Sequence, residues 1–330
     1  MPPTPTRRSM LLGSLGALAA LPMVSACGVT RGDQSGNTRL RMMIPNSPGG
    51  GYDLTGRAAV RVMEDEEITG RFEVFNVIGA SGTVAMARLM NERGNEDLMM
   101  SMGLGVVGAT YTNKSDARVT GATPLARLIE ESEGVIVPRS SPFRTIDDLL
   151  AAWKRDPRGL TVGGGSAPGG PDHLFPMELA RTTGISPRNV NFVSYDGGGD
   201  LLAALLGSKV GFGTSGLGEY KSQIASGSLR VLAVSGEKRT SGVNAPTLKE
   251  AGTDLTFINW RGVLAPPGIS SARRTELIGL LQQMHASQAW KDVLTENDWT
   301  DAWMTGDAFT SFLRSQDQRV ARTLKELGLI

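Results

Sequence analysis

The chain has 330 residues, enough for two domains of ordinary size, and its 34 basic residues are balanced by 33 acidic ones, so no nucleic-acid surface is indicated. Its two histidines make a histidine-based metal site unexpected, and its single cysteine excludes a disulfide within one molecule. The 42 glycines follow no short period and indicate many tight turns. We therefore expect a globular protein without a bound metal and without a cofactor.

Residues 1–26 are predicted to be a signal peptide. Arg7 and Arg8 precede an apolar run, residues 10–23, and no acidic residue comes before this run. The run is shorter than the about 20 apolar residues that a membrane-spanning helix needs, and it is typical of a signal sequence. Residues 6–11 resemble a twin-arginine export signal.

Cys27, the one cysteine, directly follows this segment. Residues 24–27 resemble the cleavage box of bacterial lipoproteins, which favours a lipidated Cys27 over a leftover buried thiol. Residues 27–38 are small and polar, as expected of a flexible tether. Since nothing later in the sequence is long and apolar enough to span a membrane, we expect the exported globule to be lipid-anchored on the outer side of the bacterial cytoplasmic membrane, at the cell surface or in the periplasm.

A glycine-rich turn joins the first predicted strand, residues 40–44, to a predicted helix. Glycines let a ligand approach the backbone closely, and the first turn of a helix adds unpaired N–H groups and the positive end of the helix dipole. Such a place suits an anion, although a tight turn without a ligand is the alternative. The candidate ligand-binding residues here are Gly49, Gly50, Gly51, Tyr52 and Asp53, and Asp53 either holds the loop or meets a ligand ammonium.

A second turn repeats this arrangement after a predicted strand at residues 71–77, and a helical pattern with Val84, Ala87 and Met90 follows it. Its candidate residues are Gly79, Ala80, Ser81, Gly82 and Thr83. A third strand, residues 98–102, leads into Gly103, Gly105 and Gly108, which are spaced as in G-x-G-x-x-G. We predict a loop at residues 109–116, and because the dinucleotide fingerprint should open a helix on the first strand of its unit, we interpret the spacing as a chance match.

Two further glycine-rich turns follow a strand that ends at Pro138. A predicted helix at residues 146–153 begins after Thr145, a suitable N-cap. The third turn then follows a strand at residues 160–163 and precedes a helix at residues 174–183, and the fourth follows a strand at 190–194. Their candidate residues are Ser166, Ala167 and His173 in the third turn and Tyr195, Gly197, Gly198 and Gly199 in the fourth.

The rest of the chain continues the alternation of strands and helices. Strands are predicted at residues 210–214, 229–235 and 257–264, and helices at 217–226, from Ser270 onward and at 307–327. This alternation is typical of parallel α/β sheets, in which ligands bind beyond the carboxyl ends of the strands. All four glycine turns fall at such ends.

No catalytic set stands out among these residues. Ser166, Asp172 and His173 are close in sequence, but the G-x-S-x-G elbow is absent, and a triad is recognised by geometry and not by nearness along the chain. We interpret Ser166 as a hydrogen-bonding loop serine and expect a structural hydrogen bond for His173. The sequence therefore favours a binding protein over an enzyme.

The four turns and several later segments resemble the substrate-binding proteins of tripartite tricarboxylate transporters, the Bug-type extracytoplasmic solute receptors. The resemblance covers about residues 39–330. It is carried by segments 48–53 (P-G-G-x-x-D), 76–82 (N-x-x-G-A-G-G), 165–174 (G-S…H-L), 195–207 and 227–234 (Y-x-G…L-L-G, G-x-L-R-x-L-A-V), and 260–266 (W-x-G-x-x-A-P). Ser81 replaces the usual glycine of the second turn, and Tyr52 is bulkier than the usual residue of the first.

This resemblance implies an α/β, two-lobed periplasmic-binding-protein-like fold, each lobe a mostly parallel sheet flanked by helices, with a chain that crosses the hinge twice. The lobes would comprise residues 39–133 with 236–330, and residues 134–235. The implied function is capture of a small carboxylate, a di- or tricarboxylate such as citrate, in the interlobe cleft and its delivery to the membrane subunits of a secondary transporter. The alternative is an exported, lipid-anchored α/β enzyme that uses a nucleotide or a small acid.

Overall fold

The structure, a computed structural model, describes residues 39–195 and 197–330, and Arg39–Ile330 form one compact unit. The predicted signal peptide, the tether and Cys27 lie outside the described residues. Among the helices of the described part, none is long and apolar enough to cross a membrane.

The described residues alternate between strands and helices through most of the chain. The strands are β1 (Arg41–Ile44), β2 (Glu73–Asn76), β3 (Leu98–Gly103), β4 (Thr123–Pro138), β5 (Val162–Gly164), β6 (Phe192–Ser194), β7 (Phe212–Gly216), β8 (Leu229–Val234), β9 (Ile258–Ala265) and β10 (Thr300–Thr305). The helices are α1 (Gly51–Asp65), α2 (Thr83–Asn91), α3 (Leu104–Thr112), α4 (Ile146–Arg155), α5 (Pro171–Thr182), α6 (Gly198–Leu206), α7 (Lys221–Ala225), α8 (Ser271–Ala286), α9 (Gln288–Asn297) and α10 (Gly306–Leu327).

The long strand β4 is shared by two groups of strands. Its residues 123–132 pair with β9 and β10, and β9 continues through β3 and β1 to β2; we call these strands the first strand group. Its residues 133–138 pair with β7 and β8, and β7 continues through β5 to β6; these form the second strand group. Each group thus has its own set of strands, and the predicted division into two lobes remains a prediction.

Parallel and antiparallel pairs have distinct places in this sheet. β1 pairs in parallel with β2 and β3, and β5 pairs in parallel with β6 and β7, because helices carry the chain back between these strands. The pairs that involve β4 or β9 are antiparallel. The predicted parallel order therefore describes the strand–helix–strand units, whereas the strands that link the two groups run against their neighbours.

One buried serine ties together the places where the chain passes between the groups. The N–H of Glu133 donates to Ser235 Oγ at 2.8 Å, and the Ser235 hydroxyl donates to the carbonyl of Phe257 at 2.6 Å. Backbone bonds join the same three residues, from Ser235 N to Glu133 O and from Phe257 N to Ser235 O, each 2.9 Å long. The crossing is thus a small junction in which backbone bonds and the Ser235 hydroxyl join the three residues.

The central strands are buried because helices cover both faces of the sheet. In β1, Met42 and Ile44 pack into a core with α1, α8 and α9, whereas Met43 points into the opposite core, as the alternation of side chains in a strand requires. A strand that is apolar at successive positions is therefore expected to be central, and β1 lies between β2 and β3.

The structure confirms two predicted helix starts and changes several element boundaries. Thr145 and Ser270 accept hydrogen bonds from the backbone three residues on, each at 3.1 Å. The predicted loop at residues 109–116 is wrong, because α3 extends to Thr112. Helix α5 begins at Pro171, earlier than predicted, with proline at the first helical position, where its missing N–H costs nothing. Strand β10 was not predicted.

Candidate functional site

The first turn is held closed by the side chain of Asp53. This buried carboxylate accepts hydrogen bonds from Gly49 N–H at 2.9 Å, from Asn76 Nδ2 at 2.9 Å and from Arg57 Nε at 2.8 Å. Burial alone would raise the pKa of Asp53, but these three donors together lower it. Of the two roles predicted for Asp53, the geometry favours the one that holds the loop.

The second turn has a backbone that few residues other than glycine adopt. Gly79, Ala80, Ser81 and Gly82 have φ values of +141°, +46°, +53° and +91°. At Ser81, where the related motif has glycine, the serine lies in the left-handed region, which glycine enters without steric strain. Ala80 and Ser81 are exposed, and Asn113 Nδ2 supports the turn by donating to the Ala80 carbonyl at 3.2 Å.

The G-x-G-x-x-G spacing opens helix α3, contrary to the predicted loop, but a tyrosine occupies the amino end of that helix. The Tyr52 hydroxyl faces the N–H groups of Gly105 and Val106, and a methyl group on Gly105 would lie 2.5 Å from the hydroxyl oxygen. Burial raises the pKa of Tyr52 to about 12, so the phenol stays protonated. The place that the phosphates of a dinucleotide would take is thus filled by a residue of the first turn.

In the third turn, the side chains of Ser166 and His173 accept hydrogen bonds from the backbone. Ser166 Oγ accepts from the N–H of Asp172 at 3.1 Å and so caps the start of α5, while His173 Nδ1 accepts from the N–H of Gly169 at 3.2 Å. Burial lowers the pKa of His173 to about 4, which leaves the imidazole neutral at pH 7. The carbonyl of Ala167 accepts from Gly170 N–H and closes the loop. This arrangement is not that of a catalytic triad.

The fourth turn is joined to the third through its backbone. Gly197, at φ +98°, donates its N–H to the Gly165 carbonyl at 3.0 Å, and Tyr195 N–H donates to the carbonyl of Gly164 at 2.8 Å. At the start of α6, the N–H of Gly198 faces the carboxylate of Glu219. Gly199 has open space around it.

Helix α3, which follows β3 of the first strand group, meets the third turn, which belongs to the second group, at Gly108 and Gly169. A methyl group placed on Gly108 would overlap the Gly169 backbone, at 2.5 Å from its carbonyl carbon and 2.9 Å from its Cα. Only glycine at both positions allows two backbones to approach so closely. The predicted site residues therefore form two sets, first with second turn and third with fourth, and residues outside the predicted set bring the two sets into contact.

Three charged residues that the sequence analysis did not select, Arg261, Glu131 and Glu133, lie between the two sets. Arg261, on β9, is buried, donates to Thr55 Oγ1 at 3.2 Å and forms an ion pair with Glu131. A methyl group on Gly51 would lie 2.5 Å from Arg261 Nη2, so this cation borders the first turn. Glu133 follows two residues after Glu131 on β4 and therefore lies on the same face of the strand. The acidic residues inside the otherwise apolar strand β4 are the feature of the sequence that could have identified these charged residues.

The carboxyl groups around this point repel one another in a buried setting. Burial raises the pKa of Glu133 well above its ordinary value, the charges of Asp172, Glu131 and Glu219 raise it further, and Arg261 opposes them. Burial and the charge of Glu219 raise the pKa of Asp172 to about 7, against the N–H of Gly165 and the hydroxyl of Ser215. Within residues 39–195 and 197–330, no three histidine, cysteine or acidic side chains are placed to hold a metal ion.

Comparisons with known proteins agree on one family. The model of the tripartite tricarboxylate transporter family receptor matches residues 68–329. Protein BugT of Bordetella pertussis is 24% identical over 88% of this chain and 89% of its own. A TctC solute-binding protein from Polaromonas is 24% identical with a TM-score of 0.70, over 88% of this chain and 98% of its own.

Two further solved structures share the fold and contain ligands. Rpa4515 of Rhodopseudomonas palustris with adipate is 22% identical with a TM-score of 0.76, over 88% of this chain and 97% of its own. MatC of the same organism with bound malate is 18% identical with a TM-score of 0.73, over 87% of this chain and 98% of its own. The predicted α/β, periplasmic-binding-protein-like fold class is confirmed by these likenesses.

Proposed function

Since this chain belongs to the tripartite tricarboxylate transporter receptor family, as its motifs predicted, we propose that it is an exported solute receptor that captures a small carboxylate between two lobes. The lobes are residues 39–133 with 236–330, and residues 134–235. The captured solute, a di- or tricarboxylate of the size of citrate, would then pass to the membrane subunits of a secondary transporter. Membership of a receptor family favours this binding role over an enzymatic one.

The contact between Gly108 and Gly169 is the observation that carries this proposal. It joins helix α3, which follows β3 of the first strand group, to the third glycine turn of the second, while the crossing at Glu133, Ser235 and Phe257 provides a compact junction. Two bodies that share one junction and meet at a second contact are arranged for hinge closure around a small molecule. The bound malate and adipate in structures of the same fold support a carboxylate as that molecule.

A thermal-shift screen against di- and tricarboxylates, amino acids and aromatic acids tests the proposal. A ligand at about 100 times its dissociation constant adds about 2.7 kcal/mol to the free energy of unfolding and so raises the melting temperature. Small-angle scattering with the best ligand should then give a smaller radius of gyration. A panel in which no carboxylate binds would remove the basis of the proposal, and an unchanged radius at saturation would locate the site within one lobe.

We infer separately that Cys27 anchors the receptor by a covalent lipid. The support is the sequence alone: the twin arginines, the short apolar run and the lone cysteine that follows it. Cys27→Ser should move the protein from the membrane fraction to the soluble fraction, or leave it unprocessed. Wild-type protein that retains residues 1–26 in the cytoplasm would show the inference to be wrong.

A further inference from the structure

The side chain of Glu133 is fully buried and lacks a hydrogen-bond partner. Its exposed fraction is 0%, and neither Oε1 nor Oε2 bonds with any described residue. Burying a carboxylate without a partner is unfavourable, because it loses its hydration and gains nothing in return. A native protein that keeps such a group either protonates it or receives its partner from elsewhere.

The position of Glu133 places this group at the junction between the two strand groups. Its own N–H bonds with Ser235 Oγ at the junction between the strand groups. Its side chain lies on the face of β4 from which the Glu131 carboxylate reaches Arg261 and approaches Gly216 of the second strand group, since a methyl group on Gly216 would be 3.2 Å from Glu131 Oε1. Glu133 thus points to where residues of both groups converge.

The charges around Glu133 leave it without a cation. Arg261 acts on Glu133, but its guanidinium is already paired with Glu131. The other charged neighbours, Asp172 and Glu219, are acidic. Asp172 accepts a hydrogen bond from the Ser215 hydroxyl at 3.3 Å, so its carboxyl group acts as an acceptor here. The group that would satisfy this set is a cation with several N–H donors.

The donors that a purely anionic ligand would need are largely in use. Gly49 N–H bonds with Asp53, the N–H groups of Gly105 and Val106 face Tyr52, and the N–H of Gly198 faces Glu219. Side chains of the protein therefore occupy the amino ends of α3 and α6 and the N–H of Gly49 just before α1. A ligand that carried only negative charge would meet few free donors here and would face several carboxylates.

A metal ion does not fit these residues. Among the described side chains, no group of three potential ligands is close enough to hold one. An ammonium group, by contrast, has three donors that point in different directions and bonds with separate acceptors without a fixed coordination sphere.

We propose that Glu133, together with Asp172, receives an ammonium group of the ligand, so that the solute is an amino-bearing carboxylate such as an amino acid or an amino dicarboxylate. This rests on the proposed function, since it specifies the solute of the same cleft. Glu133 would then be the residue that selects for the amino group, and its missing partner is the ligand itself.

Calorimetric titration with pairs of acids that differ only in the α-amino group tests this. Suitable pairs are aspartate with succinate, glutamate with glutarate, and alanine with propionate. In at least one pair the amino compound should bind about tenfold more tightly or better, the scale of one charge-assisted hydrogen bond. Glu133→Gln should remove most of this preference and leave the affinity for the amino-free partner unchanged or improved.

The matched control is Glu130→Gln, which changes an acid of the same strand on the opposite face, beside Arg127, and should keep the preference. If Glu133→Gln fails to fold, Asp172→Asn provides the second variant, and the comparison of pairs on the wild-type protein stands by itself. Amino-free acids that bind as well as their amino partners would overturn the inference and leave the proposed function intact. A full panel of acids, with and without an amino group, that do not bind would overturn both.

Discussion

Gly108→Ala tests whether the contact between the two strand groups is a contact that forms on closure. The change adds one methyl group to α3, and that methyl would lie 2.5 Å from the carbonyl carbon of Gly169. Ordinary contact between such atoms begins at 3.4 Å, so α3 and the third turn must separate by at least about 0.9 Å, the difference between these distances.

Two effects of this substitution have opposite signs. Within α3, alanine should favour the helix by up to about 1 kcal/mol relative to glycine. Across the contact, an extra methyl group in a packed interface typically costs about 1–3 kcal/mol. If the lobes separate without ligand, only the helix preference of alanine changes the stability of the free protein. The steric cost at the contact then applies when the ligand closes the lobes, and it weakens ligand affinity by roughly 5- to 150-fold.

Denaturant unfolding of the free protein and calorimetry with the best ligand measure the two effects separately. Gly279→Ala is the control, since Gly279 lies inside α8, outside the four turns and with open space around it, and the affinity of this variant should match the wild type. A free Gly108→Ala protein that loses 1 kcal/mol or more of unfolding free energy would refute the reasoning, because the contact would then be permanent. Wild-type affinity in this variant would refute it as well.

Three further predictions concern buried groups. Burial and the charge of Glu219 raise the pKa of Asp172 from 3.8 to about 7. The ligand-free protein should therefore lose unfolding free energy as the pH rises from about 4 to about 7. In denaturant titrations, Asp172→Asn should recover up to about 4 kcal/mol of this free energy at pH 8 and none at pH 4. Gly51→Ala should displace the guanidinium of Arg261 and cost about 1–3 kcal/mol of unfolding free energy. A loss no greater than that of Gly70→Ala, whose methyl group would have open space around it, would contradict this. Ser166→Ala removes the cap of Asp172 N–H and should lower the melting temperature by the equivalent of about 1 kcal/mol; an unchanged midpoint would show that water replaces the hydroxyl.

The pattern of strands, turns and helices could be predicted because each depends on neighbours along the chain. A continuous apolar run locates β1, and the capping residue Thr145 fixes the start of α4 through its own bond with Asp148 N–H. The prediction of a loop at residues 109–116 was wrong because it considered only such local preferences. The run from Leu104 to Thr112 contains two glycines and several β-branched residues that disfavour a helix locally, and burial of Val106 and Val107 in the core outweighs that preference.

The charged residues between the turns could not be selected in the same way, because their significance depends on partners far along the chain. Glu131 and Arg261 are 130 residues apart, and nothing near either residue indicates that they pair. The glycine turns likewise attracted attention as donors for an anion, but whether a donor is free depends on which side chain folds over it. Tyr52 and Glu219 illustrate this: each reaches a helix start in another part of the chain.

The acids at the junction and the glycine contact are linked, because Asp172 lies only three residues after Gly169. Asp172 belongs to the proposed second lobe and Glu131 to the first, so closure of these lobes would bring the two carboxyl groups together, and like charges in a buried place repel one another. Without ligand this repulsion would oppose closure, and an ammonium bound beside Asp172 would remove it. Asp172→Asn and Gly108→Ala should therefore act in opposite directions on the ligand-free receptor. The first should lower its radius of gyration in small-angle scattering, the second should not, and equal radii for wild type and Asp172→Asn would show that repulsion does not control closure.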